Sequence, residues 1–428
     1  MTPMKTKLLL TGICAVLSLY GYAGTKDDSA NCEVVADSSL TAFEYRWPNL
    51  KQAYDKYIDG DFQEAITLIH KADDAGENAN MLPYLLGLVY AQADSLSQAY
   101  DIAFDMIRKD MYDEMAREIL SAAISKNPGF ADELFQSIRL PREDTDCNKD
   151  SVGTMYEIYA QCFLDAHSNT LAYKYADIAN SYSPSIASSL LKAESLRKQQ
   201  RFDEALAIVN PLLDCEEPSI SAICEKCMIL RCMKQHSEEI DLLKSTYEAW
   251  HPADDHFYYD AIYNKALGEA YTAAGDSVAT LSHAVKYFNE AAGDFVAADS
   301  FFYRESNASD RAEVYLRTGI CLSRFGYKSD EAKRYFNMAL EGGYSPTLCY
   351  AYLGNREEAL KALKWYYGNA ISAAVYSVLG DTDTALSYLE LAFSRGEYSP
   401  AATEVDINFR SIVSNPRYKQ LVAKFNPN

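Results

Sequence analysis

The stretch Phe202-Asp203-Glu204-Ala205-Leu206-Ala207-Ile208-Val209 constrains this chain most, because it occurs again in altered form. Its relatives are Gly60-Asp61-Phe62-Gln63-Glu64-Ala65-Ile66, Ser329-Asp330-Glu331-Ala332 and Gly380-Asp381-Thr382-Asp383-Thr384-Ala385-Leu386. Each follows one apolar helical run and opens another. A turn, a small alanine and a second amphipathic helix, recurring along a chain, predict stacked helical hairpins. In such a stack each hairpin packs only on its neighbours, so the 428 residues need not divide into ordinary globular domains.

Helical patterns pair off in order along the chain. A first block, 46–140, pairs 49–57 with 62–72, 81–93 with 96–107, and 112–125 with 130–138. The charged, Pro-led segment 141–151 reads as an acidic linker. A middle block, 152–250, holds helices over 156–165, 170–181, 186–198, 202–213, 219–233 and 237–250. A second break at 251–255 leads to a C-terminal block, 251–428, interrupted by a polar, irregular stretch over 297–310.

Within these patterns Leu86, Gly87, Tyr90 and Ala99 keep a fixed spacing, as do Ala160, Phe163, Ala172, Ala179 and Pro184. Gly319, Leu322, Ala332, Ala339 and Pro346 repeat it; Leu267, Gly268 and Tyr271 begin another copy, in which Ala284 arrives four residues late. A small residue lets two helices approach, and an aromatic fills the hole beside them. In these positions the chain resembles a tetratricopeptide-repeat (TPR) protein over most of residues 46–395. The resemblance implies an all-α fold, a right-handed α-solenoid or TPR-like superhelix of roughly nine or ten hairpins. Asn415-Pro416-Arg417-Tyr418 with Leu421 is similar to the short tail that closes many bacterial arrays of this family, with Asn415 in place of the usual Asp; it implies a cap over the last apolar face.

Family geometry places first helices along a concave groove. It implies groove positions for Tyr84, for Glu157 and Gln161, and for Lys265, Glu269 and Thr272. Such a groove suits an extended or helical peptide. The Lys/Asn clamp with which some members hold a terminal carboxylate is absent here, which disfavours an acidic C-terminal tail as ligand. Charge reversal at Lys265 and Glu269 is expected to weaken the partner without unfolding the protein.

Residues 1–23 read as a secretory signal: Lys5 and Lys7, an apolar core from Leu8 to Leu19, and Gly21-Tyr22-Ala23 for cleavage after Ala23. Cys14 raises lipidation, but Ile13 stands where a lipobox wants a small residue and the apolar core continues past it, so simple cleavage is the better reading. A polar lead-in, 24–45, follows. No later run approaches the ~20 apolar residues of a membrane span, so no integral membrane segment is expected in the mature chain. The expected place is the periplasm, the cell envelope or the exterior. Cleavage removes two lysines and no acid, leaving 38 basic against 61 acidic residues, a net of −23. A phosphate backbone would be repelled, which argues against nucleic acid as partner.

Candidate chemistry is sparse. Cys215, Cys224, Cys227 and Cys232 cluster, and Cys224-x-x-Cys227 has ligand-pair spacing, yet no second such pair occurs; a buried core, a disulfide and a thiolate metal site are the readings in that order. Asp144, Asp146, Asn148 and Asp150 alternate like the first half of a Ca²⁺ loop, but Lys149 stands where the turn glycine belongs and Met155 where the bidentate acid belongs. His251, Asp254, Asp255 and His256 read as a helix start. Asp-Ser/Thr-small triplets at Asp28, Asp94, Asp150, Asp276 and Asp383 resemble an O-glycosylation sequon and are expected in the lead-in, turns or breaks. Catalytic signatures such as GxSxG, HExxH, GxxxxGK[ST] and GxGxxG are absent, and no cofactor is implied.

The expectation is a non-enzymatic extracytoplasmic scaffold for a protein or peptide. The first alternative is glycan capture, by resemblance to the helical glycan-binding proteins of starch-utilisation systems; only three Trp and the poor lipobox weigh against it. An α/α-toroid enzyme is the remaining alternative, against which the repeat spacing argues.

Overall fold

The computed structural model describes residues 47–78, 81–137, 146–214, 219–250, 257–275, 277–302, 308–324, 329–363 and 368–425. The leader with Cys14, the lead-in, Asp144, Cys215, the 251–256 cluster, Asp28 and Asp276 lie outside them. Among the described residues the chain is all α-helical. No helix there is long and apolar enough to cross a membrane.

Hairpins succeed one another. Helix α1 (Pro48–Asp59) leads to α2 (Phe62–Asp74), α3 (Met81–Gln92) to α4 (Leu96–Lys109), α5 (Glu114–Lys126) to α6 (Pro128–Ser137), and α7 (Asp146–Asp165) to α8 (Asn169–Tyr182). Then come α9 (Ile186–Lys198) and α10 (Phe202–Leu213), α11 (Ile220–Cys232) and α12 (His236–Trp250), α13 (Phe257–Ala274) and α14 (Val278–Phe302). Last are α15 (Ala308–Ser323) and α16 (Ser329–Glu341), α17 (Pro346–Tyr352) and α18 (Arg356–Leu363), α19 (Asn369–Val378) and α20 (Thr382–Ser394). A short helix α21 (Pro400–Val405), a 3-10 turn (Ile407–Phe409) and α22 (Pro416–Phe425) end the chain.

The turn from first to second helix is one device used repeatedly. One or two residues past the first helix, the chain is left-handed at Gly60, Asp94, His167, Gln200, Lys234, Gly354 and Gly380, with φ from +58° to +80°. The next amide then donates to the carbonyl five residues earlier, as Ser95 N to Tyr90 O, Arg201 N to Leu196 O and Asp381 N to Tyr376 O, each at 2.9 Å. This Schellman geometry satisfies carbonyls that the helix end would leave orphaned. Asp61 and Asp381 then cap the second helix by accepting from Glu64 N and Thr384 N at 3.3 Å.

Small residues hold the paired helices close. Ala65, Ala99, Ala172, Ala205, Ala284 and Ala385 have no exposed surface. Ala284 reaches its place because α14 starts only at Val278, after the inserted residues. A Cβ on Gly268 would stand 2.6 Å from the Phe288 ring, and one on Gly319 would stand 2.7 Å from the Phe336 ring. Both rings are buried, so neither can swing aside. At the far end Tyr418 and Leu421 of α22 are buried in a cluster with Leu386, Leu389 and Phe393 of α20, and cover that hairpin's apolar side.

The chain divides into two compact units, Met1–Ser195 and Leu196–Asn428. The division falls within α9 rather than at 141–151 or 251–255. The apolar core explains why those two segments do not separate bodies. In unit 1, Phe135 of α6 stacks on Tyr159 of α7 with ring centroids 4.0 Å apart. In unit 2, Leu243 of α12 shares a cluster with Tyr263 and Leu267 of α13.

Three local expectations are corrected. Helix α7 starts at Asp146, inside the acidic segment, because carboxylates near a helix start are favoured by its dipole. Helix α14 continues through 297–302, and α15 resumes at Ala308. The triplets at Asp150 and Asp383 lie in helices, not in turns or breaks.

Gly293, inside α14 with open space where a Cβ would go, should gain about 1 kcal/mol on Gly293→Ala. Gly268→Ala and Gly319→Ala should instead lose about 1–2 kcal/mol, since overpacking outweighs the propensity gain. Gln200→Gly should stabilise by roughly 0.5–1 kcal/mol by relieving a left-handed non-glycine residue. Urea denaturation midpoints check all four.

Candidate binding site

The most unusual feature of unit 2 is a line of ion pairs joining consecutive first helices. Arg197 of α9 donates to Glu225 of α11 at 2.7 Å and 3.2 Å. Arg231 of α11 donates to Glu239 of α12 at 2.8 Å and to Glu269 of α13 at 2.8 Å. Arg317 of α15 reaches back to Glu269 at 3.1 Å and holds Glu313 of its own helix at 2.6 Å. Lys265 of α13 closes the series on Glu313.

Burial alone would raise the Glu269 carboxyl, but Arg317, Arg231 and Lys265 outweigh it and hold it at about 2. Burial would likewise raise the Glu313 carboxyl, and Arg317 and Lys265 outweigh it, so the carboxyl is lowered. The two arginines are held charged: burial works against them, and Glu269 with Glu239 or Glu313 prevails.

Beside this line lies a cavity of about 590 Å³. Arg197, Arg231, Glu269 and Arg317 form its charged wall, with Leu316, Ile320, Leu348 and Ile371 as its apolar part. The C-terminal segment 396–408 forms the remaining side. That segment is fastened to several helices. Arg324 donates to Ile407 O at 2.9 Å, Tyr352 to Asn408 Oδ1 at 2.8 Å and Ser377 to Asn408 O at 2.7 Å. Lys234 pairs with Glu404, and Arg410 donates to the Thr272 carbonyl.

The six groove residues are all half-buried on first helices. In unit 1, Tyr84 of α3 donates to Glu118 of α5. Glu157 of α7 accepts from Ser185, at the start of α9, at 2.5 Å. Gln161 bonds Asp165 of its own helix at 2.7 Å. In unit 2, Lys265 and Glu269 belong to the ion-pair line, and Thr272 Oγ donates to Gly268 O at 2.8 Å. Reversing Lys265 and Glu269 therefore disturbs the packing of α11, α13 and α15, contrary to the expectation of an unchanged fold.

The other candidates are dispersed. Cys224, Cys227 and Cys232 lie on α11 as free thiols. Burial pushes Cys224 up to about 11 and raises Cys227 and Cys232, which disfavours their thiolates. Residues 146–150 are helical, and Asp150 Oδ1 accepts from Ser183 at 2.7 Å. Among the described residues no group of three or more His, Cys, Asp or Glu is placed to hold a metal.

Arg231, Glu313 and Arg317 were missed by sequence reasoning. Arg231 stands between Cys227 and Cys232, whose spacing drew the attention. The usable signal was an Arg or Glu at inner-face positions of three successive first helices.

Glu269 carries a folded value below its ordinary 4.5, so its contribution to stability is complete above pH 4.5 and is lost as pH falls toward 2. Glu269→Gln should cost about 3 kcal/mol at pH 7, by leaving buried guanidinium groups unmatched. Its stability should then decline less steeply than the wild type's between pH 4.5 and 2.5, as read by thermal midpoints across that range.

No family model matches the chain, and no curated protein matches it. Among solved structures it is similar to the Rap protein complexed with competence and sporulation factor. The identity is 13% over 89% of this chain and 95% of that one, with a TM-score of 0.43. It is also similar to a human IFIT1 dimer with m7Gppp-AAAA, 14% identical over 92% of this chain and 95% of that one, with a TM-score of 0.29. These likenesses concern the helical-hairpin architecture alone.

Proposed function

We propose that this protein is a non-enzymatic extracytoplasmic scaffold of the TPR type that holds a protein or peptide partner against its first helices. The supporting observation is the polar strip those helices carry within each unit. Tyr84, Glu157, Lys265 and Glu269 each reach a neighbouring first helix or its start through a polar contact, while the alanines of the second helices are sealed in the core. A strip of hydrogen-bonding side chains flanked by half-buried tyrosine is suited to polypeptide recognition, where aromatic area supplies affinity and polar groups fix orientation. The signal-like pattern of residues 1–23 supports a periplasmic, envelope or extracellular location for the mature chain.

Affinity capture of a C-terminally tagged full-length copy from its native envelope, with mass spectrometry, tests this reading. One or two stoichiometric proteins are expected. Gln161→Trp and Gln161→Arg alter the strip without removing an ion pair, and should cut recovery at least tenfold while the circular dichroism spectrum and thermal midpoint stay unchanged. Equal recovery by the variants would defeat the groove assignment. Retention of polysaccharide or peptidoglycan in place of protein would replace the partner class with a glycan.

A further inference from the structure

We infer that the unit 2 cavity is a binding site for a carboxylate carried on a short apolar chain. The argument rests on what the wall has left to offer. Each of the four acids that line the cavity has both oxygens engaged. Glu269 accepts from Arg231 and Arg317, and Glu313 from Arg317 and Lys265. Asp406 accepts from Tyr398 at 2.8 Å on one oxygen and from Asn408 at 2.8 Å on the other. Glu397 accepts from the backbone and side-chain nitrogens of Asn369 at 2.7 Å and 2.5 Å. Each carboxylate in the wall thus already has a donor on both oxygens, supplied by the protein itself.

The unused capacity is a donor. Arg317 directs Nε and Nη2 at Glu313 and Glu269, and its Nη1 bonds no described residue. The guanidinium is held firmly charged, and 38% of the side chain's surface is still accessible. A guanidinium edge inside a cavity calls for a charge-assisted bond to an anionic oxygen. Leu316, Ile320, Leu348, Ile371 and Ile407 supply the complementary apolar wall. The volume of about 590 Å³ falls in the roughly 300–1,000 Å³ range of sites that enclose small molecules. The fastened segment 396–408 closes one side, a shape suited to a small ligand or a chain end.

Two sources carry this chemistry: an acyl carboxylate and the C-terminus of an apolar peptide. The site shares Glu269 and Thr272 with the proposed groove, but small-ligand binding is read without any captured partner, so the two readings can fail separately. The test is isothermal titration calorimetry on the mature full chain with decanoate and with N-acetyl-leucyl-leucine, each against its primary amide. At least one acid is expected to bind, with its amide at least tenfold weaker; which acid binds identifies the source. Ala402→Phe, which fills the cavity from the C-terminal segment, should weaken binding at least tenfold with the thermal midpoint retained. Arg317→Lys, which keeps the charge but shortens its reach, should erase the acid-over-amide preference. Absence of heat with both acids, equal binding of acid and amide, or undiminished binding to a folded Ala402→Phe would overturn the inference.

Discussion

Close approach of two helices, through residues with no room for a larger side chain, is the constraint on which the rest of the structure depends. Where Gly268 faces Phe288 and Gly319 faces Phe336, the ring occupies the space that a Cβ would need. The buried alanines do the same at the start of the second helices. Because the crossing is fixed at this short range, the side chains of the first helix that point away from its partner are delivered to one face. That face is then free to be polar, and in unit 2 it carries Arg231, Glu269, Glu313 and Arg317 within ion-pair distance of one another.

Such a line of buried charges is a costly way to hold helices together. Desolvation of each ion offsets much of the attraction, and well-packed apolar residues would often serve stability as well. What the pairs supply is register: Glu269 meets two arginines from two different helices only when α11, α13 and α15 are aligned. They also keep the inner wall polar, so that the space beside it stays a cavity in place of closing into core.

Much of the fold was legible from spacing. Recurrent turn-to-alanine elements, such as Asp61 to Ala65 and Asp381 to Ala385, mark the second helices, and Gly268 and Gly319 mark two crossings, although the rings that fill them, Phe288 and Phe336, come from the second helices and lie outside that spacing. Asn415 to Leu421 announces the cap. The site was far less legible. Contacts such as Arg231 to Glu269 or Lys265 to Glu313 join residues 38 and 48 positions apart, and no local pattern encodes them. The turns were half-hidden too. Gly60, Gly354 and Gly380 advertise a left-handed residue, whereas Asp94, His167, Gln200 and Lys234 adopt the same conformation without the residue that signals it. The hydrogen bond back to the first helix, rather than the side chain, defines the motif. Segment 396–408 carries no repeat signature, and its role as a cavity wall appears only in three dimensions.

The bond from Arg410 to the carbonyl of Thr272 spans 138 residues of sequence. A ribosome delivers those residues in order, so the helices of unit 2 emerge long before the segment that walls their cavity. Until residues 396–410 arrive, the charged wall stands open on that side. A later stretch of chain thus completes a compartment whose other walls come from helices made before it.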